Sequence, residues 1–336
     1  MLVGVTSRTS IPLSILDLAI IGKGQTAADA FANSVALAQR AEARGYQRVW
    51  YAEHHNMASI ASSATAVLIA HVAAHTTSIR LGAGGIMLPN HSPLTIAEQF
   101  GTLAALHPGR IDLGLGRAPG TDQVTVRALR RDPRAAETFP QDVVELQGFL
   151  SDESLVAGVV ATPGQGTHVP LYILGSSLFG AELAGMLGLP YAFASHFAPQ
   201  ALIDAVALYR RSFRPSRQLD APYVMAGVNV IAADTDDAAQ EQLQFTRRAR
   251  VRRMFKIHDR AVTDEEADAI LRSPQGAHVD QMMAYTAVGT ADAVAAYLDR
   301  FASDVGLDEL MTVHQASTTA GRLRSLELTA QAVGVG

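Results

Sequence analysis

A glutamate and two adjacent histidines follow a short apolar segment, in the stretch RVWYAEHHNMAS. The apolar residues 49–52 predict a buried strand, and Glu53, His54 and His55 follow it directly. Histidine titrates near neutral pH and is therefore suited to general acid–base catalysis. In parallel α/β folds, functional side chains lie at the carboxyl ends of strands. This triplet therefore predicts proton-transfer chemistry where a strand ends.

Other histidines also follow predicted strands, namely His91, His196 and His314. Three further histidines are predicted to have packing roles, because they lie within an apolar helix or before a strand. They are His71, His75 and His107. A metal centre is the competing interpretation of the first group. Adjacent histidines on an extended segment point in opposite directions, and no HExxH spacing occurs. We therefore predict no catalytic metal.

An arginine and two serines predict a phosphate site. Arg117 follows the segment DLGLG, and Gly175, Ser176 and Ser177 lie where the next predicted strand gives way to a helix. Backbone N–H groups at a helix start and a planar guanidinium both bind phosphate. The glycine spacing before Arg117 is not that of a dinucleotide fingerprint, and Pro119 would interrupt the helix such a fingerprint needs.

Glycines also interrupt the predicted strand at 79–88, in the stretch GAGGIMLPNHSP. Glycine weakens a strand interior, so Gly84 and Gly85 indicate a bulge or an unusual peptide against which a flat ligand can lie. A phosphate site, a flat platform and histidines at one rim together favour flavin mononucleotide. A sugar phosphate would use the phosphate site but would not need the platform.

The elements that position these residues alternate between short apolar runs and amphipathic segments. Strands are predicted at 2–6, 48–53, 79–88, 111–116, 171–176, 191–196, 223–232 and 309–314. Continuous apolar runs are typical of parallel strands covered on both faces, and eight strand–helix units predict a closed (β/α)8 TIM barrel. Insertions are predicted after strands 4 and 7, at 118–165 and 247–290. A doubly wound open sheet is the alternative, and either way residues 1–336 are predicted to form one domain.

Two helices are marked by their ends or composition. Ser92 and Pro93 predict the start of one helix, as N-cap and first helical residue. The apolar helix in SSATAVLIAHVAAHT must be buried on more than one side, which predicts a subunit interface or cover by an insertion. The arginine-rich stretches RALRRDPR and RRARVRR are solvated helix faces, or else they flank the mouth and attract an anionic flavin or substrate.

Composition excludes several classes of function. The net charge of −5 argues against nucleic acid or an anionic membrane as the main partner. The segment MLVGVTSRTS lacks the pattern of a signal peptide, and no apolar run is long enough to span a membrane. The absence of cysteine excludes thiol chemistry and suits a cytoplasmic protein.

The order and spacing of several motifs resemble the bacterial luciferase-like flavin-dependent monooxygenases, above all their uncharacterised single-chain FMN-dependent members. The motifs are VWYAEHH, LGAGGIMLPNHSPLTIAEQ, GRIDLGLGR, LYILGSS and VGTADAVAAYL, and the similarity extends over nearly the whole chain. The resemblance implies a barrel that forms a homodimer through helices 2 and 3. It also implies reduced FMN (FMNH2) supplied by a separate NAD(P)H flavin reductase, O2 as co-substrate and oxidation of a small organic substrate through a C4a-peroxyflavin.

The same resemblance implies roles for individual residues. Arg117, Ser176 and Ser177, with Gly175, would hold the FMN phosphate, and Gly84–Gly85 matches a non-prolyl cis peptide against the flavin ring. His54 matches the active-site histidine, with Glu53 and His55 as its catalytic neighbours. The stretch 257–288 corresponds to the lid region after strand 7.

The chain departs from the light-emitting members of that family. They carry a reactive cysteine just before the phosphate-binding arginine, where this chain has Gly116, so luminescence is not implied. Two alternatives remain open: an F420-dependent hydride-transfer oxidoreductase of the same superfamily, and a non-catalytic flavin-binding protein. The sequence does not distinguish hydroxylation, Baeyer–Villiger insertion and C–S or C–N cleavage.

Overall fold

Eight parallel strands form a closed barrel with helices around it. The computed structural model describes residues 11–118, 120–132, 134–255 and 262–334. The barrel closes in the order β1-β2-β3-β4-β5-β6-β7-β9, with β9 pairing back to β1, while β8 extends the sheet from β7. The strands are β1 (Leu13–Asp17), β2 (Arg48–Tyr51), β3 (Arg80–Met87), β4 (Ile111–Gly116), β5 (Leu171–Gly175), β6 (Tyr191–Phe193), β7 (Val224–Ala232), β8 (Thr286–Gly289) and β9 (Glu309–His314).

The helices cover the outside of the barrel and build its insertions. They are α1 (Ala27–Ala43), α2 (Thr65–Ala73), α3 (Pro93–Leu106), α4 (Gln123–Ala128), α5 (Phe139–Leu150), α6 (Leu178–Leu187), α7 (Leu202–Ser212), α8 (Asp236–Met254), α9 (Asp264–Leu271), α10 (Pro274–Met282), α11 (Ala291–Val305) and α12 (Thr319–Val333). Short 3-10 turns lie at Leu88–Asn90 and Ala135–Glu137. Among the residues described, no helix combines the length and apolar character needed to cross a membrane.

The predicted barrel is confirmed, but its first strand was wrongly placed. The segment 2–6 lies outside the described residues, and the strand that closes the barrel is Leu13–Asp17. All five residues of this strand are buried, because it pairs with β2 on one side and β9 on the other. The other seven barrel strands begin and end within a few residues of their predicted bounds, whereas β8 was not predicted.

Local signals explain where the site-bearing helices begin. Ser92 caps α3 by accepting a hydrogen bond from the N–H of Thr95, and Pro93 is its first residue, as predicted. Thr26 forms a capping box with Asp29 at the start of α1. Both helices follow strands whose carboxyl ends surround the barrel mouth, so their caps help to fix the loops that carry functional groups.

The barrel interior has a charged lower layer and an apolar upper layer. At the amino ends of the strands, Arg48 donates to Glu309 from Nε (2.9 Å) and Nη2 (3.0 Å), and from Nη1 to Asp112 (2.7 Å) and the Tyr172 hydroxyl (2.7 Å). Above this network lie mainly apolar side chains that point inward, including Leu16, Trp50, Ala52, Met225, Met311 and Val313. The paired charges close the bottom of the barrel, and the apolar layer forms a floor beneath the mouth.

The predicted insertions follow β4 and β7. The chain between β4 and β5 contains α4 and α5, and the chain between β7 and β9 contains α8, α9, α10, β8 and α11. Of the stretch 257–288 that the resemblance assigned to the lid, 257–261 lie outside the described residues, and the rest contains α9, α10 and the start of β8. That residues 1–336 form one domain stays a prediction.

Candidate active site

His54 faces the barrel mouth because of the alternation of side chains along β2. Trp50 and Ala52 point inward in the apolar layer, so the same alternation carries His54 to the inner rim. Its Nδ1 is buried and has no hydrogen-bond partner among the described residues. Desolvation and the nearby Arg253 lower the pKa of His54, so the imidazole is neutral at pH 7. A neutral histidine at this place can accept a proton from a group bound in the mouth.

Glu53 and His55 point to the other side of β2, where they meet the loop after β3. Glu53 is 1% exposed, and its Oε1 lies 2.8 Å from Nε2 of His55 and 2.9 Å from Nε2 of His91. The N–H of Met87 donates to Oε2 (3.0 Å), and Nδ2 of Asn90 donates to Oε1 (3.3 Å). These contacts join the loops that follow two neighbouring strands.

The charges of this cluster follow from its hydrogen bonds. Burial by itself raises the pKa of Glu53, but hydrogen bonds from His55 and His91, the charge of His91 and the N–H of Met87 lower it to about 2. The carboxylate in turn raises the pKa of His55, against the opposing effect of burial. Glu53 is therefore an ionised carboxylate that orients two histidines, and we class it as a positioning residue.

The same three side chains have metal-ligand spacing. One ligand atom each from Glu53, His55 and His91 lies within 4.8 Å of the others. In the described structure both oxygens of Glu53 are in hydrogen bonds with these histidines and with the N–H of Met87, and the absence of a catalytic metal stays a prediction.

His196 lies across the mouth from His54. An ideal Cβ on Gly227, a residue of β7, would lie 2.2 Å from Nδ1 of His196, so the ring occupies the space that the missing side chain leaves. This Nδ1 is also buried without a hydrogen-bond partner in the described part of the chain. Desolvation, Arg250 and His54 lower the pKa of His196 to about 3. Two neutral histidines, from β2 and β6, therefore face the same mouth.

His314 does not reach this mouth, contrary to the prediction that it joins the histidines of the rim. Val313 points into the barrel, so His314 points outward. Its Nε2 lies 3.3 Å from the hydroxyl of Tyr46, and its Nδ1 lies 3.0 Å from Oγ of Ser325. This histidine is a buried, hydrogen-bonded part of the packing between barrel and helices.

Arg117 and the start of α6 lie side by side, as the predicted phosphate site requires. The guanidinium carbon of Arg117 lies 4.1 Å from the ring centroid of Phe179, in the first turn of α6. Ser176 and Ser177 are exposed, and Ser177 occupies the N-cap position without a side-chain cap. An ideal Cβ on Gly175 would have, apart from its chain neighbours and within the described residues, only Cα of Gly180 within 4 Å, so the approach to the helix start is open there.

The glycine pair in β3 has the irregular backbone that was predicted. The peptide between Gly84 and Gly85 is cis, and the pairing of β3 with β4 shifts register between Ala83 and Ile86. An ideal Cβ on Gly84 would lie 2.8 Å from Cβ of Trp50, so any side chain there would collide with the barrel floor. The backbone of Gly84 therefore lies directly against Trp50 and Leu16 of the inward-pointing apolar layer, with no side chain between.

Residues 11–309 match the family model described as luciferase-like monooxygenase. The chain belongs to the luciferase-like monooxygenase family. A protein of Escherichia coli strain K12 named luciferase-like monooxygenase is 46% identical over 325 residues, which are 96% of this chain and 97% of that protein. An uncharacterized Bacillus subtilis protein, YvbT, is 49% identical over 326 residues, again 96% and 97% of the two chains.

Solved structures agree with this membership. The crystal structure of apo-MsnO8 is 34% identical and superposes with a TM-score of 0.87 over 97% of this chain and 99% of its own. Two structures at 17% identity share only the fold. One is the oxygenating constituent of 3,6-diketocamphane monooxygenase from Pseudomonas putida in complex with FMN, with a TM-score of 0.71 over 96% and 97% of the chains. The other is an F420-dependent secondary alcohol dehydrogenase, with a TM-score of 0.72 over 96% and 99%.

In this luciferase-like chain, the predicted site residues fall into three groups. Gly84, Gly85 and His54 lie on or after β3 and β2, while Arg117 and Gly175–Ser177 lie at the neighbouring ends of β4 and β5. Glu53 and His55 form a supporting cluster outside the inner rim. The sequence grouped His91 and His196 with the histidines that follow strands but gave them no role in the site. Arg250 and Arg253 were missed, because they lie on a helix distant in sequence.

Proposed function

We propose that this chain is a monooxygenase that uses reduced FMN from a separate NAD(P)H flavin reductase and O2 to oxidise a small organic substrate. The observation that carries the proposal is the uncapped start of α6 beside Arg117. It lies at the same end of the barrel as the cis peptide between Gly84 and Gly85, which we call the Gly84–Gly85 ledge. A phosphate and a flat ring system are the two parts of FMN that these features fit.

The residues present fit FMN in their chemistry. Arg117 and the hydroxyls and N–H groups at Ser176 and Ser177 would hold the phosphate. The backbone of Gly84 and Gly85 would support the ring system above Trp50. When bound, reduced FMN supplies the electrons with which O2 is activated.

The chain itself manages a proton and excludes water. His54 is neutral at pH 7 and would accept or return one proton at Nδ1 or Nε2 within the mouth. Glu53 holds the loops that follow β2 and β3 through His55 and His91, and so fixes the backbone on which His54 is carried. The apolar layer beneath the mouth keeps bulk water from the reacting groups.

A homodimer through α2 and α3 belongs to the same proposal. Val67 of α2 is 70% exposed and Leu106 at the end of α3 is 63% exposed, although both are large apolar residues. Between these helices lies a groove of about 530 Å³, which Glu53 and His91 also line. A second copy covering this face would remove apolar surface from water and would cover one side of the Glu53 cluster.

Fluorescence of Trp50 tests the cofactor directly. Trp50 is the single tryptophan of the chain and lies beneath Gly84, so a ring system on the ledge should quench its emission. Under anaerobic conditions we expect saturable quenching by FMNH2 and none by reduced F420. Quenching by F420 alone would instead favour hydride transfer without oxygen, and quenching by neither would contradict the flavin site.

Oxygen uptake separates an enzyme from a flavin carrier. We expect the protein with FMNH2 to consume oxygen in a manner that depends on an added organic substrate, above the rate of free reduced flavin. Uptake no faster than free flavin with every substrate of a broad panel would favour the non-catalytic flavin-binding alternative.

A further inference from the structure

The arginines near the carboxyl end of α8 divide into two sets. Arg247 forms an ion pair with Asp280 of α10, and Arg248 pairs with Asp268 of α9. Arg252 pairs with Asp264, also of α9. These arginines therefore pair with carboxylates of the second insertion and hold α9 and α10 against α8, which is a structural role.

Arg250 and Arg253 form the second set, on another face of α8. They are three positions apart and so lie on one side of the helix. Nη2 of Arg250 donates to the carbonyl of His196 (3.2 Å) and to Oδ1 of Asn229 (3.1 Å), which places the guanidinium at the barrel mouth. Its Nε is buried and has no partner among the described residues. Neither arginine forms an ion pair with a carboxylate in the described part of the chain.

The two histidines of the mouth lie beside these arginines. Arg250 is close enough to His196, and Arg253 to His54, for their charges to lower the pKa of each histidine. The nearby carboxylate of Glu53 is already held by His55 and His91. Among the described residues, the mouth therefore has an excess of positive charge and contains buried nitrogen atoms without a hydrogen-bond partner, at Arg250, His54 and His196.

The apolar upper layer of the barrel adjoins this cationic group, because Val313 pairs with Asn229, which Arg250 contacts. Ala52 and Val313 belong to the buried upper layer, and Leu18 and Leu174 pack partly buried against it. A ligand that fits both features carries an anionic group at one end and an apolar body at the other. A carboxylate suits the anionic end, because a guanidinium fork donates two parallel hydrogen bonds to its oxygens.

We propose that Arg250 and Arg253 bind the carboxylate of a small organic acid at the barrel mouth, and that this acid is the substrate of the enzyme. The second clause rests on the proposed function above. The site differs from the predicted phosphate site in position, since Arg117 and Ser176 follow β4 and β5, whereas Arg250 contacts β7 and the loop after β6. The FMN phosphate is thus assigned to Arg117, and the carboxylate of the organic acid to Arg250 and Arg253.

A pair of isosteric probes tests the carboxylate site without any flavin. Hexanoate and its neutral counterpart hexanamide are titrated into the protein, and binding is followed by ligand-observed NMR. We expect hexanoate to bind about tenfold more tightly or better, as a charge-assisted pair implies. Equal affinity for the two probes, or no saturable binding of hexanoate, would overturn the proposal.

Matched variants locate the effect. Arg250→Gln and Arg253→Gln should each abolish the preference for hexanoate, and Arg250→Lys should retain part of it. Arg247→Gln removes one charge from the same helix on the face that pairs with Asp280, and should leave the preference unchanged. Unchanged preference in both Arg250→Gln and Arg253→Gln would assign hexanoate binding to another place and reject the site.

A separate anaerobic titration with FMNH2 distinguishes this inference from the proposed function. FMNH2 should quench Trp50 in Arg250→Gln and in Arg253→Gln with the same affinity as in the unaltered protein. A large loss of FMNH2 affinity would mean that these arginines hold the flavin, and would overturn the assignment to substrate. Preferential hexanoate binding by a protein that binds no FMNH2 would overturn the proposed function and leave the carboxylate site standing.

Discussion

Nε2 of His91 lies 2.9 Å from Oε1 and 3.0 Å from Oε2 of Glu53, so a residue after β3 and a residue after β2 share one buried contact. The contact ties the loop that carries His54 to the loop that follows Gly84 and Gly85. Disturbing it should affect both the stability of the barrel mouth and the position of His54.

The buried carboxylate predicts a change of stability in acid. The pKa of Glu53 in the folded protein is about 2, below the ordinary value of 4.5, so its stabilising effect is present above pH 4.5 and is lost as the pH falls toward 2. Glu53→Gln should remove this component, roughly 3 kcal/mol of the free energy of unfolding at neutral pH. Urea unfolding at pH 7, 4 and 3 measures it. The exposed Glu153→Gln is the control, and an equal pH dependence in the two variants would contradict the assignment.

His54→Ala should leave the binding of FMNH2 intact and lose most of the turnover, because the side chain supplies a proton acceptor and no phosphate contact. General acid–base residues contribute about 100- to 10,000-fold to rate. Oxygen uptake with substrate and Trp50 quenching provide the two readouts. His107→Ala, at the opposite end of the barrel, should retain turnover. Full turnover of His54→Ala would exclude the catalytic role.

Arg253→Gln should raise the pKa of His54 toward its ordinary value. The charge of Arg253 disfavours the imidazolium, so removing it allows His54 to protonate at higher pH, whereas the desolvation remains. NMR titration of the histidine ring protons, assigned with His54→Ala, measures the shift. Arg247→Gln, whose guanidinium pairs with Asp280, should leave the titration of His54 in place.

Arg117→Ala should weaken the binding of FMNH2 by roughly ten- to hundredfold, the loss expected for one charge-assisted hydrogen-bonded pair. Phe179→Leu should have a smaller effect, because the ring contacts the guanidinium and orients it but binds no phosphate. Anaerobic Trp50 quenching measures both. Arg127→Ala on the exposed face of α4 is the control, and an affinity equal to that of the control would remove Arg117 from the phosphate site.

Val67→Glu and Leu106→Glu should convert a homodimer to a monomer, since each places a charge in the apolar face of α2 and α3. Sedimentation velocity at several protein concentrations measures the change. Val124→Glu is a matched control, because Val124 is 64% exposed and belongs to α4, not to α2 or α3. A monomeric unaltered protein would contradict the interface.

Much of the fold could be predicted because its signals are local. Parallel strands covered on both faces read as continuous apolar runs, and Ser92 with Pro93 marks a helix start by backbone hydrogen bonding alone. The first strand was misplaced because 2–6 is an apolar run whereas Leu13–Asp17 includes Ser14 and Asp17, and only pairing with β2 and β9 identifies the barrel strand. The short strand β8 was missed for the same reason.

The sequence by itself determined the barrel, the glycine pair in β3 and the strand ends at which charged and hydroxyl side chains lie, because each follows from composition over a few neighbouring residues. Tertiary structure decided which side chains meet. His54 faces the mouth and His314 does not, since the alternation of each strand is set by its packing. Likewise, within the part of the chain that the structure describes, Arg250 pairs with no carboxylate whereas Arg248 pairs with Asp268, because ion pairing depends on where α9 and α10 dock against α8.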